Sequence, residues 1–102
     1  MFTIKGQMKI SKINSREYHL NIEKQGTLDE NDAVQIFDHV KEISRAEIVV
    51  YIDIIGISGI TFKAFSVLYD LMKECNKRLT HIYFSNVSSG IEEKMNILTS
   101  TL

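Results

Sequence analysis

The chain has 102 residues, a single cysteine and a formal net charge of −1 at pH 7. That length suits one small domain spanning 1–102, with a modest core that needs no covalent staples. Acids and bases scattered along the whole sequence give no electrostatic case for a nucleic-acid partner or an acidic membrane surface.

The N-terminal Met-Phe-Thr-Ile-Lys-Gly-Gln lacks the apolar core of a signal peptide. No apolar run approaches the roughly 20 residues that span a bilayer, so direct membrane insertion is not expected and a cytoplasmic location is. Between residues 8 and 23, Met8 and Ile10, then Tyr18, Leu20 and Ile22, alternate with polar neighbours such as Lys9, His19, Asn21 and Glu23. Such alternation predicts two half-buried strands, and Asn14, Ser15, Arg16 and Glu17 between them supply the turn of a hairpin. Ile13 falls out of step with the alternation, and the segment 2–4 either extends the first strand or frays. Gly26 closes this region. Thr27 or Asp29 can cap the helix that follows to about Ser44, with Asp29, Glu30 and Asp32 placing negative charge at its start. Ala33, Phe37 and Val40, flanked by Ile36 and Ile43, give that helix one apolar stripe.

Residues 48–55 form a short, nearly unbroken apolar run rich in β-branched side chains, the mark of a central strand covered on its faces. Gly56 and Gly59 interrupt it, and from Thr61 the spacing becomes helical, with Phe65, Leu68, Met72 and Cys75 on one face. Residues 56–61 therefore read as a loop at the carboxyl end of a strand, a favoured place for binding sites in open α/β sheets. Cys75, on an apolar face, reads as a core thiol rather than a nucleophile, in keeping with a reducing compartment. Asn76, Lys77 and Arg78 end the helix, residues 79–85 read as a strand, and residues 86–90 cap a last helix with Ile91, Met95, Leu98 and Leu102 on one face. A helix of this length between two strands implies a parallel, right-handed crossover. The expected architecture is a single α/β domain in the order β-β-α-β-α-β-α, with about four strands in a mixed sheet and three helices.

Chemistry-bearing constellations are missing from this pattern. His19, His39 and His81 fall on three different elements without metal-ligand spacing. The order Gly56-Ile57-Ser58-Gly59-Ile60 is not a nucleophile elbow, and no Gly-Lys-Ser/Thr follows the glycines. No catalytic residue, metal or cofactor is expected, and the chain does not read as an enzyme. Thr61 suits a helix cap, and Asp53 suits bonding to loop amides. Phe62, on the first helical turn, reads either as ordinary core or as part of an exposed contact patch.

The hairpin, then Gly26-Thr27-Leu28-Asp29 opening a helix, then a strand ending at Asp53 with a small loop and a long apolar helix containing Phe65, Leu68, Tyr69 and Met72, together resemble the STAS domain. This is the domain of bacterial anti-sigma factor antagonists, found also attached to anion transporters, and the resemblance runs from about Met8 to Leu102. It implies a non-catalytic, regulatory protein–protein interaction module. Its implied partner is an anti-sigma-factor-like or kinase-like protein, or a complex subunit, with a homodimer as a further possibility. The implied contact residues are Asp29, Gly56, Ser58, Gly59, Thr61, Phe62 and Lys63, so Asp29 has two readings, cap and contact. Regulated members carry Asp-Ser-Ser-Gly at the start of the second helix, where a kinase phosphorylates a serine. Counted without gaps from Asp53, those positions are Thr61, Phe62, Lys63 and Ala64 here, so both serines are replaced. A one-residue gap would bring Thr61 onto the phosphoacceptor position but would break the apolar register of Phe65 and Leu68. Phosphorylation at Thr61 or Ser58 is retained as a lesser reading. A small-ligand or lipid binder, or a subunit of a membrane-transport complex, is the alternative, motivated by apolar residues on more than one face of the second helix.

Overall fold

Three antiparallel strands open the chain in the computed structural model, which describes residues 2–5 and 8–99: β1 (Phe2–Lys5), β2 (Met8–Lys12) and β3 (Glu17–Ile22). The segment at the N-terminus thus adds an outer strand to the expected hairpin. Ile13, out of step with the alternation, lies beyond β2 and is exposed. A three-residue strand, β4 (Gly26–Leu28), leads into α1 (Glu30–Ile43). Next come β5 (Val49–Asp53), β6 (Ile57–Ile60), α2 (Phe62–Lys77), β7 (His81–Ser85) and α3 (Ser89–Thr99).

The main sheet has the order β1-β2-β3-β5-β7, and β5 runs parallel to both its neighbours. The expected four-strand mixed sheet is therefore present as β2-β3-β5-β7, with β1 outside it. Because β3, β5 and β7 follow one another in space, the two right-handed crossovers place α1 and α2 on the same side, where they pack on each other. Leu20, Val50 and Ile52 point into that layer and are buried against Ala33, Ile36 and Val40 of α1 and Ala64, Leu68 and Leu71 of α2. Burying each large aliphatic side chain of this set contributes about 1.5–3 kcal/mol.

Two faces are rotated slightly from the expected ones. Ile36 rather than Phe37 sits at the centre of the α1 stripe, and Ala64 and Leu71 are buried while Phe65 and Met72 are half-buried. The strand β7 begins two residues later than expected, because Leu79 takes a left-handed backbone (φ 58°) and is exposed. In α3 Ile91 is buried as expected; Met95 and Leu98 lie outside the described side chains, and Leu102 outside the described residues.

The opposite face of the sheet carries the alternate residues, Glu17, His19 and Asn21 on β3, Tyr51 and Asp53 on β5, His81 and Tyr83 on β7, all half-buried or exposed.

Candidate functional site

Residues 56–61 are not a free loop. Gly59 and Ile60 of β6 pair in parallel with Thr27 and Leu28 of β4, making a separate two-stranded sheet. The Gly26 amide donates to the Gly56 carbonyl at 3.0 Å, and the Thr61 amide donates to the Leu28 carbonyl at 3.0 Å. This pairing brings the turn before α1 and the start of α2 side by side, which unites Asp29, Gly56, Ser58, Gly59, Thr61, Phe62 and Lys63 at one end of the molecule. Gly56 is needed for the approach: a Cβ there would stand 2.3 Å from the Lys24 carbonyl oxygen. Ser58 is exposed, and its hydroxyl donates to the Gly26 carbonyl at 3.4 Å.

Asp29 is the N-cap of α1, in a reciprocal capping box with Asp32. The Asp29 Oδ1 accepts from the Asp32 amide at 2.9 Å, and the Asp32 Oδ2 accepts from the Asp29 amide at 3.0 Å. Lys24 closes the group, with its Nζ on the Asp32 carboxylate and 3.5 Å from Asp29 Oδ2. The Asp32 amide, followed by Asp32 and Lys24, holds the Asp29 carboxyl below its ordinary value. Lys24 is raised, first through its bond to Asp32. The sequence reading missed Lys24 and the burial of Asp32, although an acid three residues after a cap is the local signal for such a box.

The start of α2 is built differently. Thr61 is its N-cap, its hydroxyl oxygen accepting from the Ala64 amide at 3.1 Å, and the first turn contains no acid. Phe62, immediately after the cap, is 85 % exposed, and Lys63 is exposed beside it. Phe62 is therefore not part of the core.

Asp53 bonds the loop as expected, its Oδ1 accepting from the Ile55 amide at 3.1 Å and from Asn86 Nδ2 at 3.0 Å. An open cleft of about 330 Å³ lies at this end of β3 and β5, lined by Asn21, Glu23, Gln25, Asp53, Ile55 and Gly56. Ile55, assigned above to the buried strand, instead sits in the turn and is 73 % exposed. Its apolar neighbours in sequence masked the turn.

Cys75 is buried and its thiol is raised, chiefly by burial, which suits a core residue. His19 is 2.9 Å from Glu17, His39 is buried on α1 and His81 is exposed on β7, so the three stay on separate elements. Among the described residues no group of three metal-capable side chains converges, and no helix is long and apolar enough to cross a membrane.

A comparison with curated proteins finds no match. Among solved structures, the anti-sigma factor antagonist SpoIIAA in its unphosphorylated form is similar, with a TM-score of 0.67 at 10% identity over 88% of this chain and 82% of that one. Two structures of Mglu are similar with TM-scores of 0.62 and 0.61, at 10% and 8% identity, over 78% of this chain. They are matched over only 19% and 22% of their own length, so this chain spans about a fifth of Mglu. At these identities the likeness is one of fold. A family model described as STAS domain matches residues 11–100, which takes in β3, the β4–β6 pair, both helix starts and β7. The chain belongs to the STAS domain family.

Proposed function

We propose that this chain is a non-catalytic protein-docking module of the anti-sigma-antagonist kind, acting in the bacterial cytoplasm. Its contact surface is the start of α2 together with the β4–β6 pair and Asp29. The observation that carries this reading is Phe62. A large aromatic side chain held in solvent on the first turn of a capped, well-packed helix is the kind of rigid anchor that dominates interface energy. In the gapless register Phe62 and Lys63 replace the two serines of the regulated family members, and the Thr61 hydroxyl is engaged in capping. Docking is therefore not switched by phosphate at the usual serine.

The partner is a protein of the anti-sigma-factor or kinase type, or a subunit of a larger complex. The small-ligand or lipid alternative keeps only part of its motive, because Leu68 and Leu71 are buried and Val67 packs against the core, while Phe65, Tyr69 and Met72 are half-buried. In-cell photo-crosslinking from residue 62, with the exposed Asp38 on α1 as control, tests the proposal. A discrete adduct from position 62 and none from 38 supports it, and no adduct from 62 sinks it. A phosphate mapped to Thr61 or Ser58 in protein from the same cells overturns the unswitched part alone.

A further inference from the structure

The strand β7 ends the main sheet, and among the described residues no strand lies outside it. The His81 amide donates to the Ile48 carbonyl at 2.8 Å, and the Ser85 carbonyl accepts from the Ile54 amide at 3.2 Å. Residues along a paired strand alternate in the direction of their backbone groups, so His81, Tyr83 and Ser85 face β5. The N–H and C=O groups of Ile82 and Phe84 therefore face outward. Exposed edges are ordinarily blunted by lysine, proline, a bulge or a cover. β7 reads His-Ile-Tyr-Phe-Ser in regular register with β5 and has neither lysine nor proline nor a bulge. Beside it, between β7 and α2, lies a cleft of about 250 Å³ whose lining, including Met72, Asn76 and Thr80, contains no carboxylate, lysine or arginine.

We propose that β7 pairs antiparallel with β7 of a second copy of this chain, giving a two-fold dimer with one sheet continuous across both copies. The strand is complementary to itself in the register centred on Tyr83. Ile82 then lies opposite the partner subunit's Phe84 and Phe84 opposite the partner subunit's Ile82. These are the residues whose backbone groups face outward, so both pairs exchange their N–H···O bonds. Both are aromatic with β-branched pairs on the helix-covered face, a favourable cross-strand combination. Tyr83 meets the partner subunit's Tyr83 as a non-hydrogen-bonded pair, in which Cα atoms approach to about 4.5 Å.

On the open face Tyr83 stacks on Tyr51 with ring centroids 5.6 Å apart, and Tyr51 lies 5.1 Å from His19. The pairing carries this aromatic row across the two-fold axis. No like charges oppose each other: His81, the strand's single ionisable side chain besides Tyr83, falls opposite Ser85. This match of the strand to itself, in hydrogen bonding, packing and charge, favours a second copy over a foreign strand. The surface uses none of the residues at the start of α2, so either proposal can fail alone.

Sedimentation equilibrium at about 0.1 mM, a concentration at which a pairing with a dissociation constant of about 10 μM or tighter is mostly dimer, tests the proposal. The expected mass is twice the 11.7 kDa of the chain. Tyr83→Lys, at a 53 % exposed position, sets two cations face to face and is expected to return the monomer mass with an unchanged circular dichroism spectrum. Tyr83→Cys is expected to form a disulfide-linked dimer on mild oxidation, since Cα atoms across a non-hydrogen-bonded pair are within bridging distance and Cys75 is buried. A wild-type monomer at this concentration overturns the proposal. So does a dimer that Tyr83→Lys leaves intact, or one that Tyr83→Cys fails to link.

Discussion

Two helices begin side by side at one end of this molecule and are finished in opposite ways. The start of α1 is closed on itself, with Asp29 and Asp32 capping each other's amides and Lys24 neutralising both. The start of α2 has one hydroxyl cap, no acid in its first turn and an aromatic ring in water. The same backbone requirement, satisfying unpaired amides at a helix start, is met in the first case by side chains that leave little free to bind. In the second it is met by Thr61 alone, which leaves Phe62 and Lys63 unspent. Side-chain interactions are concentrated at one start, and the other leaves a large ring exposed.

Substitutions at the two starts should separate these roles. Asp32→Ala removes half of the capping box and leaves Lys24 without its main partner, so urea denaturation should show a loss of about 2 kcal/mol, within the range for unsatisfied buried groups. Thr61→Ala removes one cap and should cost about 1 kcal/mol by the same measurement. Equal losses at the two sites would break the contrast. Phe62→Ala should change stability by less than about 0.5 kcal/mol, as exposed positions do, because the ring touches solvent. A much larger loss would mean that the ring supports the fold rather than a partner.

The smallest effect is a matter of pH. The Asp29 carboxyl is depressed in the folded chain, so the stability it contributes is present above its ordinary value of 3.8 and is lost as pH falls through the lower folded value. Asp29→Asn keeps a good cap but does not titrate. Thermal melts carried down through that acid window should therefore be flatter for the variant than for the parent. Lys24 acts in the opposite sense: its contribution holds below 10.5 and is lost only as pH rises through its raised value.

Much of this arrangement is legible in the sequence because it is local. The Thr61 cap, the Asp53 bonds to its loop and the hairpin of β2 and β3 each depend on residues close in the chain, and so does the choice of a cap for α1 between Thr27 and Asp29, which the structure gives to Asp29. Helix faces were read to within one position: Phe37 for Ile36, Phe65 for Ala64. An apolar stripe fixes which side of a helix turns inward, but the neighbouring layer decides which residue sits at its centre. The β4–β6 pair was not read at all. Its strands are three and four residues long, contain glycines, and pair across the intervening α1 and β5, so no local run of residues signals them.

By itself the sequence determined the α/β class, the three helices and the order of the main-sheet strands β2, β3, β5 and β7, since periodicity is a property of the chain. Tertiary structure alone decided that Asp29 and Phe62 share one end, that Ile55 turns out to solvent, and that β7 is the last strand of the main sheet among the described residues. Each of these depends on which strand lies next to which, and strand neighbours are chosen by the collective burial of Leu20, Val50, Ile52 and the two helices rather than by any local run of residues.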